Sequence, residues 1–103
     1  MTDKPANLTK ILIVRMSAIG DVAHVLPALN ALRLAMPDAR IDWLVEEIPA
    51  QIIAGHPQLN NLHIFRRRWR KEFRRHFFAE ILPFFRSLRA EQYDWAIDFQ
   101  GLT

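Results

Sequence analysis

Lys10 to Arg15 reads KILIVR, four consecutive aliphatic side chains, mostly β-branched, held between charged ends. A run this short and this apolar has the character of a strand buried on both faces, which occurs in parallel sheets covered by helices on each side. The next segment agrees with such a fold. Ser17-Ala18-Ile19-Gly20-Asp21 supplies turn and cap chemistry, and Val22, Val25, Leu26, Leu29, Leu32 and Met36 then recur at helical spacing. Pro27 falls inside that pattern, so the helix is expected to kink there or to begin just before it. Pro37-Asp38 closes it.

The alternation of strand and helix continues. Arg40 to Glu46 places Ile41, Trp43 and Val45 on one side, and Ile48 to Ala54 has a short helical pattern ended by Gly55-His56-Pro57. Leu62 to Phe65 reads as a third strand. Phe73, Phe77, Ile81, Phe84, Phe85 and Leu88 then line one helical face, with a bend expected at Pro83. Tyr93 to Phe99 alternates Tyr93, Trp95, Ile97 and Phe99 as a fourth strand. The fold class is therefore α/β, a Rossmann-like parallel sheet with flanking helices and right-handed crossovers. In the usual winding the fourth strand lies beside the first and a fifth covers its other edge. We expect residues 1–9 to be a flexible lead and 10–103 an incomplete domain, because the sequence ends just after that fourth strand.

The chain of 103 residues has room for one domain. It has no cysteine, which excludes disulfides, thiolate metal sites and thiol nucleophiles. Charged residues interrupt every apolar segment well short of the roughly 20 residues that span a bilayer, and MTDKPANLTK lacks the basic start and apolar run of a signal peptide. A cytoplasmic or peripheral location is expected. The net charge of +3 conceals an asymmetry: residues 66–76 hold seven Arg and Lys against Glu72, a net +6, which leaves −3 for the remainder. Such a patch points to one anionic partner.

The loop after the first strand sits where open α/β sheets bind ligands. It lacks the glycine spacing of a dinucleotide site, only Gly20 permitting close backbone approach, and no phosphate-binding Walker loop exists. Asp21 reads either as a helix N-cap or as a general base aimed into the cleft. His24, three residues on, does not complete a hydrolase triad with Ser17 and Asp21, since no nucleophile elbow is present. His56, His63 and His76 are scattered without metal-ligand spacing, and no metal is expected. In Arg66-Arg67-Arg68-Trp69-Arg70-Lys71 the arginines suit phosphates and carboxylates, and Trp69 suits a cation or a lipid headgroup. Like-charge repulsion there predicts that an anion offsets it. Nucleic acid or an anionic membrane would serve the same cluster.

KILIVRMSAIGDVAHVLPAL, RRWRK and YDWAIDFQGL together resemble the N-terminal domain of the lipopolysaccharide heptosyltransferases of glycosyltransferase family 9, from about Lys10 onward. The Gly-Asp-Val-x-His-x-Leu-Pro string is the most specific of these. The resemblance implies a GT-B enzyme that transfers heptose from ADP-heptose to the Kdo of Kdo-lipid A with inversion, in lipopolysaccharide inner-core synthesis. It further implies a location on the cytoplasmic face of the Gram-negative inner membrane. Asp21 would be the catalytic base. Arg67, Arg68, Arg70 and Lys71 would face the acceptor's anionic groups, with Ser17, Gly20 and Gln100 near the cleft. No nucleic acid and no cofactor is implied; the donor would be held mainly by a C-terminal domain outside this sequence, so the chain alone is expected to be inactive.

Overall fold

A computed structural model describes residues 9–99; Gln100 and all but the last residue of the expected lead lie outside them. Four strands, β1 (Lys10–Val14), β2 (Arg40–Glu46), β3 (Asn61–Phe65) and β4 (Trp95–Asp98), form one parallel sheet in the order β3-β2-β1-β4. The expected placement of the fourth strand beside the first holds. β1 pairs Ile11 with Ile41 on one side and with Trp95 on the other, and β2 pairs Trp43 with Leu62.

Alternation along each strand divides the apolar residues between two cores. Ile11, Ile13, Ile41, Trp43 and Val45 point to one face and pack beneath three helices, α1 (Ile19–His24), α2 (Leu26–Ala35) and α3 (Glu47–Ile53), through Val22, Leu29 and Ile53. Leu12 and Leu44 point to the other face and meet Phe65, Trp69, Ile81 and Leu88. That second face is covered by α4 (Arg67–Lys71), α5 (Phe73–His76), a π-helical turn at Phe77–Ile81, and α6 (Leu82–Ala90).

The breaks fall where the chemistry demands. The pattern from Val22 divides at Val25, so that Pro27 stands in the first turn of α2, where its missing N–H costs nothing. Arg33 clamps the other end of α2, donating from Nη1 to the carbonyls of Pro37 (3.0 Å) and Ala39 (2.6 Å) and from Nη2 to that of Gln58 (2.8 Å). Gly55, at φ +78°, ends α3 in the left-handed conformation that favours glycine. The single helical face expected from Phe73 to Leu88 is corrected to three pieces. Pro83 offers no N–H and its ring crowds the carbonyl four residues back; the wider π-turn immediately before it absorbs that conflict. Ile81 and Leu88 are buried, Phe77 and Phe84 are half-buried, and Phe73 and Phe85 reach solvent.

A second correction concerns β4. Ile97 and Phe99 join the first core and Tyr93 packs against the second, but Trp95 is 62% exposed. It opens an edge strand whose outer side nothing covers among the described residues.

Candidate functional site

β1, β2 and β3 deliver their carboxyl ends to one edge of the sheet, and each is succeeded there by a polar or charged segment. The loop leaving β1 is fixed by backbone bonds to its neighbours: Glu46 N donates to Met16 O (3.0 Å), Phe99 N to Val14 O (2.9 Å), and the buried Trp43 indole Nε1 to Arg15 O (3.0 Å). α1 begins at Ile19 with Ala18 as its N-cap, a turn earlier than the apolar pattern indicated. Asp21 is therefore in the first helical turn and is not the cap, and it makes no capping bond.

Its partner is Arg15. Nη2 of Arg15 lies 2.7 Å from Asp21 Oδ2, and Nη1 donates to Phe99 O at 2.7 Å. The arginine side chain is 5% exposed and the aspartate side chain 53%. A buried guanidinium thus holds one oxygen of a carboxylate whose remainder faces water. His24 forms no hydrogen bond or ion pair with Asp21 among the described residues. Gly20 is exposed, and a Cβ built there meets nothing within 4 Å, so the backbone is open to close approach.

The basic run forms α4 and α5 directly after β3. Helical phase separates its members: Arg67, Arg70 and Lys71 share one side and line a pocket of about 480 Å³ with Glu46, Glu47, Ile48 and Pro49. Arg68 turns away, over the Trp69 ring at 5.8 Å, and pairs with Glu80. That hydrogen bond from Arg68 leads the causes that hold the Glu80 carboxyl at about 2, below its usual 4.5. A second pocket, of about 260 Å³, is lined by Met16, Ser17, Glu46, Phe65, Arg70 and Phe73, and it joins the loop before α1 to the basic helix.

Part of the charge expected to be offset by an anion is offset from within the chain. Glu46 meets Arg70 at 3.1 Å, Glu72 meets Arg75 at 2.9 Å, Glu80 meets Arg68, and Glu47 Oε1 accepts from the Arg67 backbone N–H at 2.8 Å. Four internal carboxylates relieve the repulsion, while the side chains of Arg67, Lys71 and Arg74 have no ion-pair partner among the described residues. Trp69 is not a headgroup anchor: it is buried, edge-on to Phe65 and Phe84 at 5.3 and 5.1 Å.

Sequence reasoning missed Arg15, taken only as a strand end, and a network nearer the amino ends of the strands. Asp42, fully buried, accepts from Arg40 Nε (3.1 Å) and the Tyr93 hydroxyl, and His63 Nε2 lies 2.7 Å from that hydroxyl. Burial alone would raise the Asp42 carboxyl; the His63 ring 3.6 Å away and hydrogen bonds from Tyr93 and Arg40 outweigh it and hold the group at about 2, from an ordinary 3.8. Burial, then Asp42, pushes the Tyr93 phenol upward. Among the described residues no three metal-ligating side chains come together, and no helix is long and apolar enough to cross a membrane.

No protein-family model matches the chain. It is 44% identical over 96 residues to lipopolysaccharide heptosyltransferase 1 of Escherichia coli K12, which covers 91% of this chain and 30% of that protein. To the Pseudomonas aeruginosa protein of the same name it is 40% identical over 95 residues, covering 90% and 27%. The structure of E. coli heptosyltransferase WaaC with ADP-2-deoxy-2-fluoro heptose superposes with a TM-score of 0.74 at 35% identity, over 91% of this chain and 30% of that one. A glycosyltransferase family 9 structure from Veillonella parvula, at 23% identity and a TM-score of 0.71, shares the fold. The chain thus spans about 30% of the length of the E. coli relative, and its sheet matches part of that GT-B structure.

Proposed function

We propose, from its partial homology to the lipopolysaccharide heptosyltransferases of glycosyltransferase family 9, that this chain is the acceptor-side part of an enzyme transferring heptose from ADP-heptose to the Kdo of Kdo-lipid A. One observation carries the reading: the pocket lined by Ser17 and Arg70 joins the loop that leads into the Asp21-bearing helix α1 to the basic helix. Asp21 accepts the proton of the attacking acceptor hydroxyl. That oxygen bonds to the anomeric carbon from the face opposite the departing ADP, and the configuration inverts. Arg15, fixed by Phe99 O, holds Oδ2 of a half-exposed side chain and leaves the other carboxylate oxygen to take the proton.

Arg67, Arg70 and Lys71 suit the acceptor's phosphates and carboxylates, Arg70 after exchanging its exposed pair with Glu46. Ser17 and Gly20 border the approach. The geometry gives Arg68 a lesser part. The nucleotide sugar is assigned chiefly to the C-terminal domain of such enzymes, and the 103 residues by themselves are expected not to turn over.

The test is a chimera in which this sequence replaces the segment it matches in the E. coli relative, assayed for heptose transfer. The chimera should transfer heptose, and Asp21→Asn should lower kcat by about 10²- to 10⁴-fold with the fold intact. Equal transfer by the variant removes Asp21 as the base. A folded chimera without activity overturns the enzyme reading.

A further inference from the structure

The turn from α5 into the π-helical segment displays aromatic rings in an unusual way. Phe77 is half-buried against the second core, and Phe73 and Phe78 pack on it from outside, with centroids 5.5 and 5.0 Å from its own. Phe78 is 80% exposed and Phe73 48%. The three rings and Arg74 line a shallow, almost wholly apolar recess of about 420 Å³. Because Phe73 also lines the pocket that holds Ser17 and Arg70, this ridge is continuous with the cleft. Contiguous exposed phenylalanine in water is unfavourable and marks a contact surface.

Charge identifies the occupant. Arg74 stands in the wall of the recess, Lys71 ends the preceding helix α4 and Arg67 begins it, and these three side chains have no carboxylate partner among the described residues, whereas Arg68, Arg70 and Arg75 do. An apolar ridge with one unpaired cation in its wall and two more on the preceding helix is complementary to an anionic lipid surface: rings enter the acyl boundary while the cations remain with the headgroups. Nucleic acid fits less well, since the rings already touch one another and leave no slot for a base.

We propose that Phe73 and Phe78 insert into an anionic bilayer, with Lys71 and Arg74 at the headgroups, and that this ridge docks the protein beside its cleft. Docking of this kind does not depend on the transfer reaction and is tested without acceptor glycolipid. The full chain is floated with phosphatidylcholine vesicles, with and without roughly one third phosphatidylglycerol. Binding should require the anionic lipid. Phe73→Ser/Phe78→Ser should lower the partition coefficient at least about tenfold, and Lys71→Gln/Arg74→Gln at least about fivefold. Since Phe78 is mostly in solvent, Phe78→Ser alone keeps the fold, and Phe78→Trp gives an indole that brominated acyl chains should quench.

Three outcomes overturn the proposal. One is binding by the double serine variant equal to that of the parent. Another is bound Phe78→Trp protein without acyl-chain quenching. The last is absence of vesicle binding, whether or not the ridge instead supports self-association or holds an oligonucleotide.

Discussion

Asp21 and Asp42 each meet an arginine, one at the carboxyl edge of the sheet and one nearer its amino end, and the two pairs are built inside out relative to each other. At the carboxyl edge the arginine is buried and the aspartate half in water; in the amino half the aspartate is wholly buried and Arg40 is about one-third exposed. The first arrangement presents a carboxylate in a fixed position with room for another group to approach it. The second saturates a carboxylate with Arg40, Tyr93 and His63 and ties β2, β3 and the approach to β4 together. The acid saturated by partners is therefore structural, and the acid left partly open is the one proposed for chemistry.

Removing Asp42 should break this contrast most severely. Asp42→Ala takes the acceptor from Arg40 and Tyr93 and leaves a gap at a fully buried position, and we expect about 3 kcal/mol lower stability by urea denaturation. A loss below about 1 kcal/mol would mean that the network is solvated like a surface pair. The next effect is acid sensitivity. Because the folded-state Asp42 carboxyl titrates at about 2 against an ordinary 3.8, its stabilisation is complete above about pH 4 and is lost as pH falls toward 2. It amounts to roughly 2 kcal/mol. Asp42→Asn should remove that part of the acid dependence from the stability profile, and an unchanged profile would assign it elsewhere.

The smallest effect sharpens the contrast from the other side. Asp21→Asn keeps an oxygen for Arg15 and sits half in solvent, so thermal unfolding should show a change of about 1 kcal/mol or less. A large loss of stability would place Asp21 with Asp42 as a structural residue, and the kinetic effect proposed for it would lose its meaning.

Much of this was legible from residue order. β-branched runs marked the strands, Pro27 and Pro83 marked the breaks, and the alternation in β2 put Ile41, Trp43 and Val45 on one face. Asp21 stood out by its place after the first strand and by resemblance. Helical phase, readable in the sequence, would also have separated Arg67, Arg70 and Lys71 from Arg68. The exposure of Trp95 and Phe73 was not legible, because periodicity tells which side a residue faces and not whether another element covers that side.

The sequence by itself determined the strand-helix alternation, the parallel class, the position of the loop after the first strand and the concentration of positive charge, since each arises from local stereochemistry and short-range spacing. Only the tertiary structure decided what these groups meet. Arg15 and Phe99 are 84 residues apart, Asp42 and Tyr93 are 51 apart, and Arg70 and Glu46 are 24 apart. Such contacts come from strand order, which brings distant segments together and decides whether a carboxylate is buried among partners, as Asp42 is, or left half open, as Asp21 is.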